Sequence, residues 1–193
     1  MGLFYANLTV YRPPRASLLK ALRRRLRTAF VSPTVRGHTV VYDRAVDEHD
    51  SFAVIERFGR ALSKELSCSA LAAALHDDDV LYLWLFQKGR VRDRYDSLPG
   101  YYNPNASGSP PAGGNSKLLC AAFDRPDRQG QVERLLRLDL LEEELPGVPG
   151  ELERHQALAA ELGMPPFVAG LGYSAIAGDY VPEEFKGIAF KGV

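Results

Sequence analysis

No apolar run in this chain exceeds seven residues, Val80 to Phe86. A helix that crosses a bilayer needs roughly 20, so the sequence predicts no transmembrane segment. Cysteine is equally scarce: Cys68 and Cys120 stand far apart in apolar surroundings. They form neither a C-x-x-C pair nor zinc-ligand spacing, and they read as free, buried thiols. The opening MGLFYANLTVY has no basic n-region and does not read as a signal peptide. A cytoplasmic protein is therefore expected. An excess of one charge is missing too, with 24 Lys and Arg against 24 Asp and Glu.

Several catalytic signatures are missing as well. No serine sits in a G-x-S-x-G elbow. Gly170 and Gly172 form a lone G-x-G without the third glycine and strand-turn-helix setting of a dinucleotide site. No RNP-type stacking motif is present. His38, His49, His76 and His155 are scattered, and His155 reads as a helix-surface residue. Nothing in the chain implies a cofactor.

What is present is a chain of 193 residues with alternating and helical patterns. Leu3 to Tyr11 alternates Phe4, Ala6, Leu8 and Val10 against Tyr5, Asn7, Thr9 and Tyr11, which predicts a strand. Pro13 and Pro14 stop it and suit a helix start. The spacing of Leu18, Leu19, Leu22, Leu26, Ala29 and Phe30 predicts a helix to about Phe30. Thr39 to Asp43 is a β-branched strand. Asp47 to Ser51 offers caps for a second helix to about Leu66, burying Phe52, Ile55, Phe58 or Gly59, Leu62 and Leu66. Ser69 to Leu75 is alanine-rich and helical by propensity. The His76–Asp79 turn and the partner run Val80–Gln87 instead predict a hairpin strand. Apolar on both faces, Val80–Gln87 predicts a strand covered on both sides. Lys88-Gly89 then turns the chain into Arg90–Asp96, whose charges suit a sheet edge.

The predicted fold is α+β: a mixed, mainly antiparallel sheet in the order β-α-β-α-β-β-β, with packed helices and a C-terminal helical extension. Residues 1–102 would form the sheet core, 103–115 a Pro/Gly/Ser-rich loop, and 116–193 a helical part completing the same domain. Its helices are expected at Ser116–Phe123, Gln129–Leu140 and Glu151–Leu162. A short strand is expected at Tyr173–Ala177.

The segments GLFYANLTV, FVSPTVRGHTVVYD, HDDDVLYLWLFQKGRVRDRYDSLPGYY, PPAGG and ELGMPPFVAGLGYSAIAGD together resemble an uncharacterised family of small bacterial proteins. The resemblance covers nearly the whole chain. It implies a complete, soluble, single-module bacterial protein and carries over no activity, cofactor or site residue.

Three clusters carry candidate chemistry. His76, Asp77 and Asp79 offer an imidazole and carboxylates in one turn, enough for Mg²⁺ or Ca²⁺ and, with a metal-bound water, for hydrolysis. Against this, consecutive residues splay apart, and a solvated turn with Asp side chains on backbone N–H groups is the plainer account. From Arg12 to Arg44 the only acid is Asp43. Arg23, Arg24 and Arg27 on that helix face could meet a protein partner, or the phosphates of nucleic acid or anionic lipid, though a solvated helix face, docked if anywhere on the acidic C-terminal half, is the plainer account. Arg92, Arg94, Tyr95, Tyr101 and Tyr102, before the loop, could form a partner-binding edge or the rim of a ligand pocket closed by the loop, though sheet-edge packing under the C-terminal helices is the plainer account. Residues 1–102 hold 16 Lys and Arg against 11 acids, and 103–193 hold 8 against 13. The halves could attract each other or face partners of opposite sign. The leading expectation is a non-enzymatic protein-interaction module. The rivals are a hydrolase-like small-molecule or metal enzyme near His76–Asp79, and an anionic-surface binder using the basic segment 12–44.

Overall fold

The computed structural model describes residues 2–48, 52–140 and 148–193. The first strand, β1 (Tyr5–Tyr11), lies inside the sheet, and all but its last residue are buried. Pro14 precedes α1 (Arg15–Arg24), whose Leu18, Leu19, Ala21 and Leu22 are buried while Arg23 and Arg24 occupy the last turn. That places positive charge at the negative end of the helix dipole. The hairpin β2 (Ala29–Val31) and β3 (His38–Asp43) follows. The short α2 (Arg44–Asp47) is capped by the Asp43 carboxylate, which accepts from the Val46 N–H. Next come α3 (Phe52–Glu65) and the meander β4 (Ser69–His76), β5 (Val80–Gln87) and β6 (Arg90–Asp96). The remainder holds β7 (Ala112–Gly113), α4 (Ser116–Ala122), α5 (Gln129–Arg137), α6 (Glu151–Glu161), α7 (Tyr173–Ala177) and β8 (Lys191–Gly192).

The sheet order is β7-β6-β5-β4-β1-β3-β2-β8, and each adjacent pair is antiparallel. The fold is thus α+β, but the expected parallel component is absent among the described strands. The unit β1-α1-β2-β3-α3-β4, ordered β4-β1-β3-β2, is a split βαβ arrangement widened by β5 and β6.

Alternation assigns each side chain to a face. Ala6, Leu8, Val10, Val80, Tyr82, Trp84 and Phe86 pack with Leu18, Leu22, Ile55, Phe58 and Leu62 of α1 and α3. Tyr5, Leu71, Leu81, Leu83, Leu85 and Tyr95 pack with Leu119, Phe123, Val132, Leu136, Leu158 and Leu162 from the C-terminal helices. Three of the four alanines of β4 take strand form despite their helix propensity because each faces an aromatic ring, while Ala73 faces Leu83. The cross-strand pairs are Ala70 with Phe86, Ala72 with Trp84 and Ala74 with Tyr82, so small residues make room for large ones. Gly59 serves the same purpose on the helix. A Cβ there would lie 2.3 Å from the Phe86 ring, so α3 rests its backbone on that ring.

Polar side chains lock the C-terminal layer to the sheet. Asn7 Nδ2 donates to the carbonyls of Val168 (2.8 Å) and Leu171 (3.0 Å), and Tyr42 donates to the Phe167 carbonyl (2.6 Å). Tyr5 Oη and His155 Nδ1 are hydrogen-bonded at 2.7 Å. Arg154, fully buried, donates to the Tyr95 hydroxyl and to the carbonyls of Leu138 (2.6 Å) and Leu135 (3.3 Å). Its Nε lies 3.1 Å from the buried Glu151 carboxylate.

The structure corrects several expectations. The first helix stops at Arg24 because Leu26 takes a left-handed backbone (φ +52°) and points into solvent, 91% exposed. Ala29 and Phe30 belong to β2, where Ala29 pairs with Asp43. Tyr173–Ala177 is a helix rather than a strand. Arg90–Asp93 forms a sheet edge as its charges suggest, whereas the end of the strand is covered by the two-residue β7, which pairs with Tyr95 and Asp96. His155 is a core residue, not a surface one. Cys120 is buried as expected, whereas Cys68 is half-buried. His49, Asp50 and Ser51, the expected helix caps, lie outside the described residues. Among the described residues no helix is long and apolar enough to cross a membrane.

Candidate functional site

The basic face of the first helix is largely neutralised within the fold. Glu65 holds both Arg24 and Arg25, the latter at 2.6 Å. Arg27 pairs with the buried Asp43, Nε to Oδ2 at 2.6 Å, and its guanidinium lies 4.7 Å from the Phe58 ring centroid. Arg12 pairs with Asp124 and Arg44 with Glu48. Of the three cations singled out on this segment, only Arg23 is exposed and without an ion pair among the described residues.

The acidic turn serves the amino terminus of β1. Asp77 Oδ1 accepts from Gly2 N–H (2.9 Å) and Asp78 Oδ2 from Leu3 N–H (3.0 Å). Both aspartates take left-handed backbone, φ +55° and +64°, which Asp tolerates in turns. His76 turns the other way and bonds the Tyr102 hydroxyl through Nδ1 at 2.9 Å. The structure does not gather His76, Asp77 and Asp79 into a ligand set. Among the described residues no group of three His, Cys, Asp or Glu is placed to hold a metal ion.

The third cluster divides. Tyr95 is buried beneath α6 as the acceptor for Arg154, so it belongs to the interior rather than to an exposed edge. Its strand phase explains this, since Tyr95 lies opposite Leu83 on the face that the C-terminal helices cover. Arg94 and Tyr102 are exposed, and each meets α3, Arg94 at Glu56 and Tyr102 at Phe52.

Between α3 and the β5–β6–β7 end of the sheet lies an open groove of about 340 Å³. The sheet register builds it. Trp84 faces Arg94 and Tyr82 faces Asp96 across β5 and β6, so the four side chains share one face as a two-by-two patch. Phe52 and Glu56, one turn apart on α3, lie over this patch. The Phe52 ring centroid is 4.6 Å from Tyr82 and 5.1 Å from Trp84. Arg94 donates from Nε (2.9 Å) and Nη2 (2.7 Å) to the same Glu56 oxygen. Tyr102, 59% exposed, extends the aromatic surface, near-parallel to Tyr82 at 6.3 Å. Tyr101 is half-buried and meets Tyr102 edge-on at 4.8 Å. Ala112 and Gly113 close the remaining side.

Burial raises the Asp96 carboxyl above the usual carboxylate range, opposed by the hydrogen bond from Leu98 N–H. Burial likewise raises the Tyr82 phenol, with Asp96 adding to the effect. No Ser, Cys or His lines the groove among the described residues; its ionisable lining is Glu56, Asp96, Arg94 and the tyrosines. The arrangement offers an aromatic floor for apolar contact and a charged rim that can fix orientation.

Searches against family models, curated proteins and solved structures find no match to this chain.

Proposed function

We propose that the protein is a non-enzymatic interaction module that seats a partner polypeptide in the groove between α3 and β5–β6, in the cytoplasm of a bacterium. The observation that carries this reading is the patch Tyr82, Trp84, Arg94 and Asp96 under Phe52 and Glu56. Tyr, Trp and Arg are the residue types that concentrate binding energy at protein interfaces. The partner matched to this groove presents an apolar side chain to the ring floor, with a basic group beside it for Glu56 and Asp96. The rival hydrolase reading near His76–Asp79 is not favoured, because Asp77 and Asp78 are engaged by the backbone of Gly2 and Leu3.

The test uses two exposed positions whose change leaves the core intact, Ala112→Arg to fill the groove and Tyr102→Ala to shorten its floor. Proteins that co-purify with the tagged wild type from its own cells are identified, and the binary complex is reconstituted from purified components. The reading expects at least a tenfold weaker Kd for Ala112→Arg and a smaller loss for Tyr102→Ala, at unchanged melting temperature. Equal Kd for wild type and both variants would overturn it.

A further inference from the structure

A second cleft lies beyond the opposite end of β6, independent of the aromatic groove. It measures about 620 Å³ and is lined by Ser67, Cys68, Ser69, Gln87, Lys88, Arg90 and Arg92. Every polar side chain in that lining can donate a hydrogen bond, and none is a carboxylate. The cations are exposed, and none of Lys88, Arg90 and Arg92 has an ion pair among the described residues. This sets them apart from Arg12, Arg24, Arg25, Arg27, Arg44, Arg60 and Arg94, each of which meets an acid.

The fold explains the convergence. Ser69 and Gln87 are directly opposite on β4 and β5, and Gln87 Nε2 donates to Ser69 Oγ at 3.0 Å. Gln87 also faces Arg90 across the Lys88-Gly89 turn, so Ser69, Gln87 and Arg90 form one row. An irregularity in the β5–β6 register leaves Arg92 without a partner, between Val91 and Asp93. On the far side of the turn, Lys64 packs against Gly89, whose Cβ would lie 3.0 Å from Lys64 Cβ. Lys64 is exposed and likewise has no ion pair among the described residues. The nearest acid on that helix end, Glu65, is held by Arg24 and Arg25. Cys68 adds no opposing charge, because burial keeps it a thiol up to about pH 11.

We infer that this cleft binds a phosphate-bearing small molecule, with Arg90 and Arg92 on the phosphate oxygens, Lys88 as a further positive charge, and Ser67, Ser69 and Gln87 as neutral donors. Guanidinium forks match the paired oxygens of a phosphate, and an ammonium adds point charge. A volume in this range suits a small metabolite rather than an ion alone.

Inorganic phosphate and pyrophosphate serve as probes, titrated into the full chain by calorimetry with ionic strength held constant by chloride. The expected result is saturable binding, tighter for pyrophosphate. The triple variant Lys88→Gln/Arg90→Gln/Arg92→Gln should weaken it at least tenfold, while Arg23→Gln, which removes an unpaired arginine elsewhere, should leave it unchanged. All four positions are exposed, so the variants should fold, and matching melting temperatures check this. Absence of saturable binding by either probe, or equal binding by the triple variant, would overturn the inference.

Discussion

The Arg154 guanidinium donates to the Tyr95 hydroxyl across the seam between α6 and β6. Both side chains are buried, and the same guanidinium also serves two carbonyls and faces Glu151. A buried cation is tolerated only when its donors are met. Removing it should therefore cost more than removing one of its acceptors. Arg154→Ala should lower unfolding free energy by about 3–5 kcal/mol, because it strands a buried carboxyl and two carbonyls. Tyr95→Phe should cost about 1–2 kcal/mol. Urea denaturation of both variants checks the ordering. Equal losses would mean that the guanidinium is not the hub.

Stability should depend on pH in two opposed ways. Burial pushes the His155 imidazole down to about 4, and His38, stacked between Tyr11 and Phe123, also to about 4. The folded state keeps these rings neutral, whereas the unfolded chain protonates them near pH 6.5. Their contribution is complete above about pH 6.5 and is lost as pH falls towards 4. For His155 alone this is on the order of 3 kcal/mol. Glu151 acts in the other sense. Burial outweighs Arg154 and raises its carboxyl to about 7, so its contribution is present below its ordinary range and is lost as pH rises through 7. Between about pH 4.5 and 6.5 the two effects oppose each other, and the two imidazoles outweigh the one carboxyl, so denaturation midpoints should rise with pH there and dip slightly towards pH 7. Glu151→Gln should steepen the rise between about pH 4.5 and 6.5 and remove the dip, and an unchanged profile would contradict the assignment.

Much of the sheet was legible because its signals are local. The alternation of Val80–Phe86 places Tyr82 and Trp84 on one face and Leu81, Leu83 and Leu85 on the other, as observed. The candidate groove was legible only in part: Arg94, Tyr101 and Tyr102 stood among the expected edge residues, whereas Phe52, Glu56, Tyr82 and Trp84 did not. Counting back from the Lys88-Gly89 turn pairs Gln87 with Arg90 and Phe86 with Val91, and would continue to set Trp84 opposite Asp93. The irregularity at Leu85 and Phe86 shifts the register by one, so Trp84 meets Arg94 instead. A one-residue slip exchanges the faces of every later side chain. The sequence leaves Tyr95 between a partner-binding edge and packing under the C-terminal helices, and the shifted register places it in the second. His155 was misread for a different reason. Its polarity suggests a solvated face, and only distant Tyr5 supplies the partner that allows burial.

The two arginines that the basic helix pattern grouped together should separate in experiment. Arg23 is exposed and free of ion pairs among the described residues, so Arg23→Glu should leave stability within about 0.5 kcal/mol of wild type. Arg27 covers Asp43, whose side chain is only 1% exposed. Arg27→Glu would set two carboxylates together and remove the contact with Phe58. A loss of about 3 kcal/mol is expected. Thermal and urea unfolding of the pair would show it, and a stable Arg27→Glu protein would mean that Asp43 is held by its bond to the Val46 N–H alone.

Gly59 offers the sharpest test of how α3 meets the sheet. By propensity alone, Gly59→Ala in mid-helix should stabilise by about 1 kcal/mol. The packing predicts the reverse, because the new methyl would stand 2.3 Å from Phe86 Cε2, 2.5 Å from Cδ2 and 2.6 Å from Cζ. Phe86 is fully buried opposite Ala70 and cannot swing clear. Either α3 lifts or the ring leaves its rotamer, and overpacking of this kind costs about 1–3 kcal/mol. The double variant Gly59→Ala/Phe86→Leu separates the explanations. Phe86→Leu alone should destabilise by opening a void. In the Gly59→Ala background the void receives the methyl, so the combined loss should be at least about 1 kcal/mol smaller than the sum of the single losses. Additive losses would show that the helix relaxes away from the ring without strain, and a stabilised Gly59→Ala protein would remove the close approach altogether.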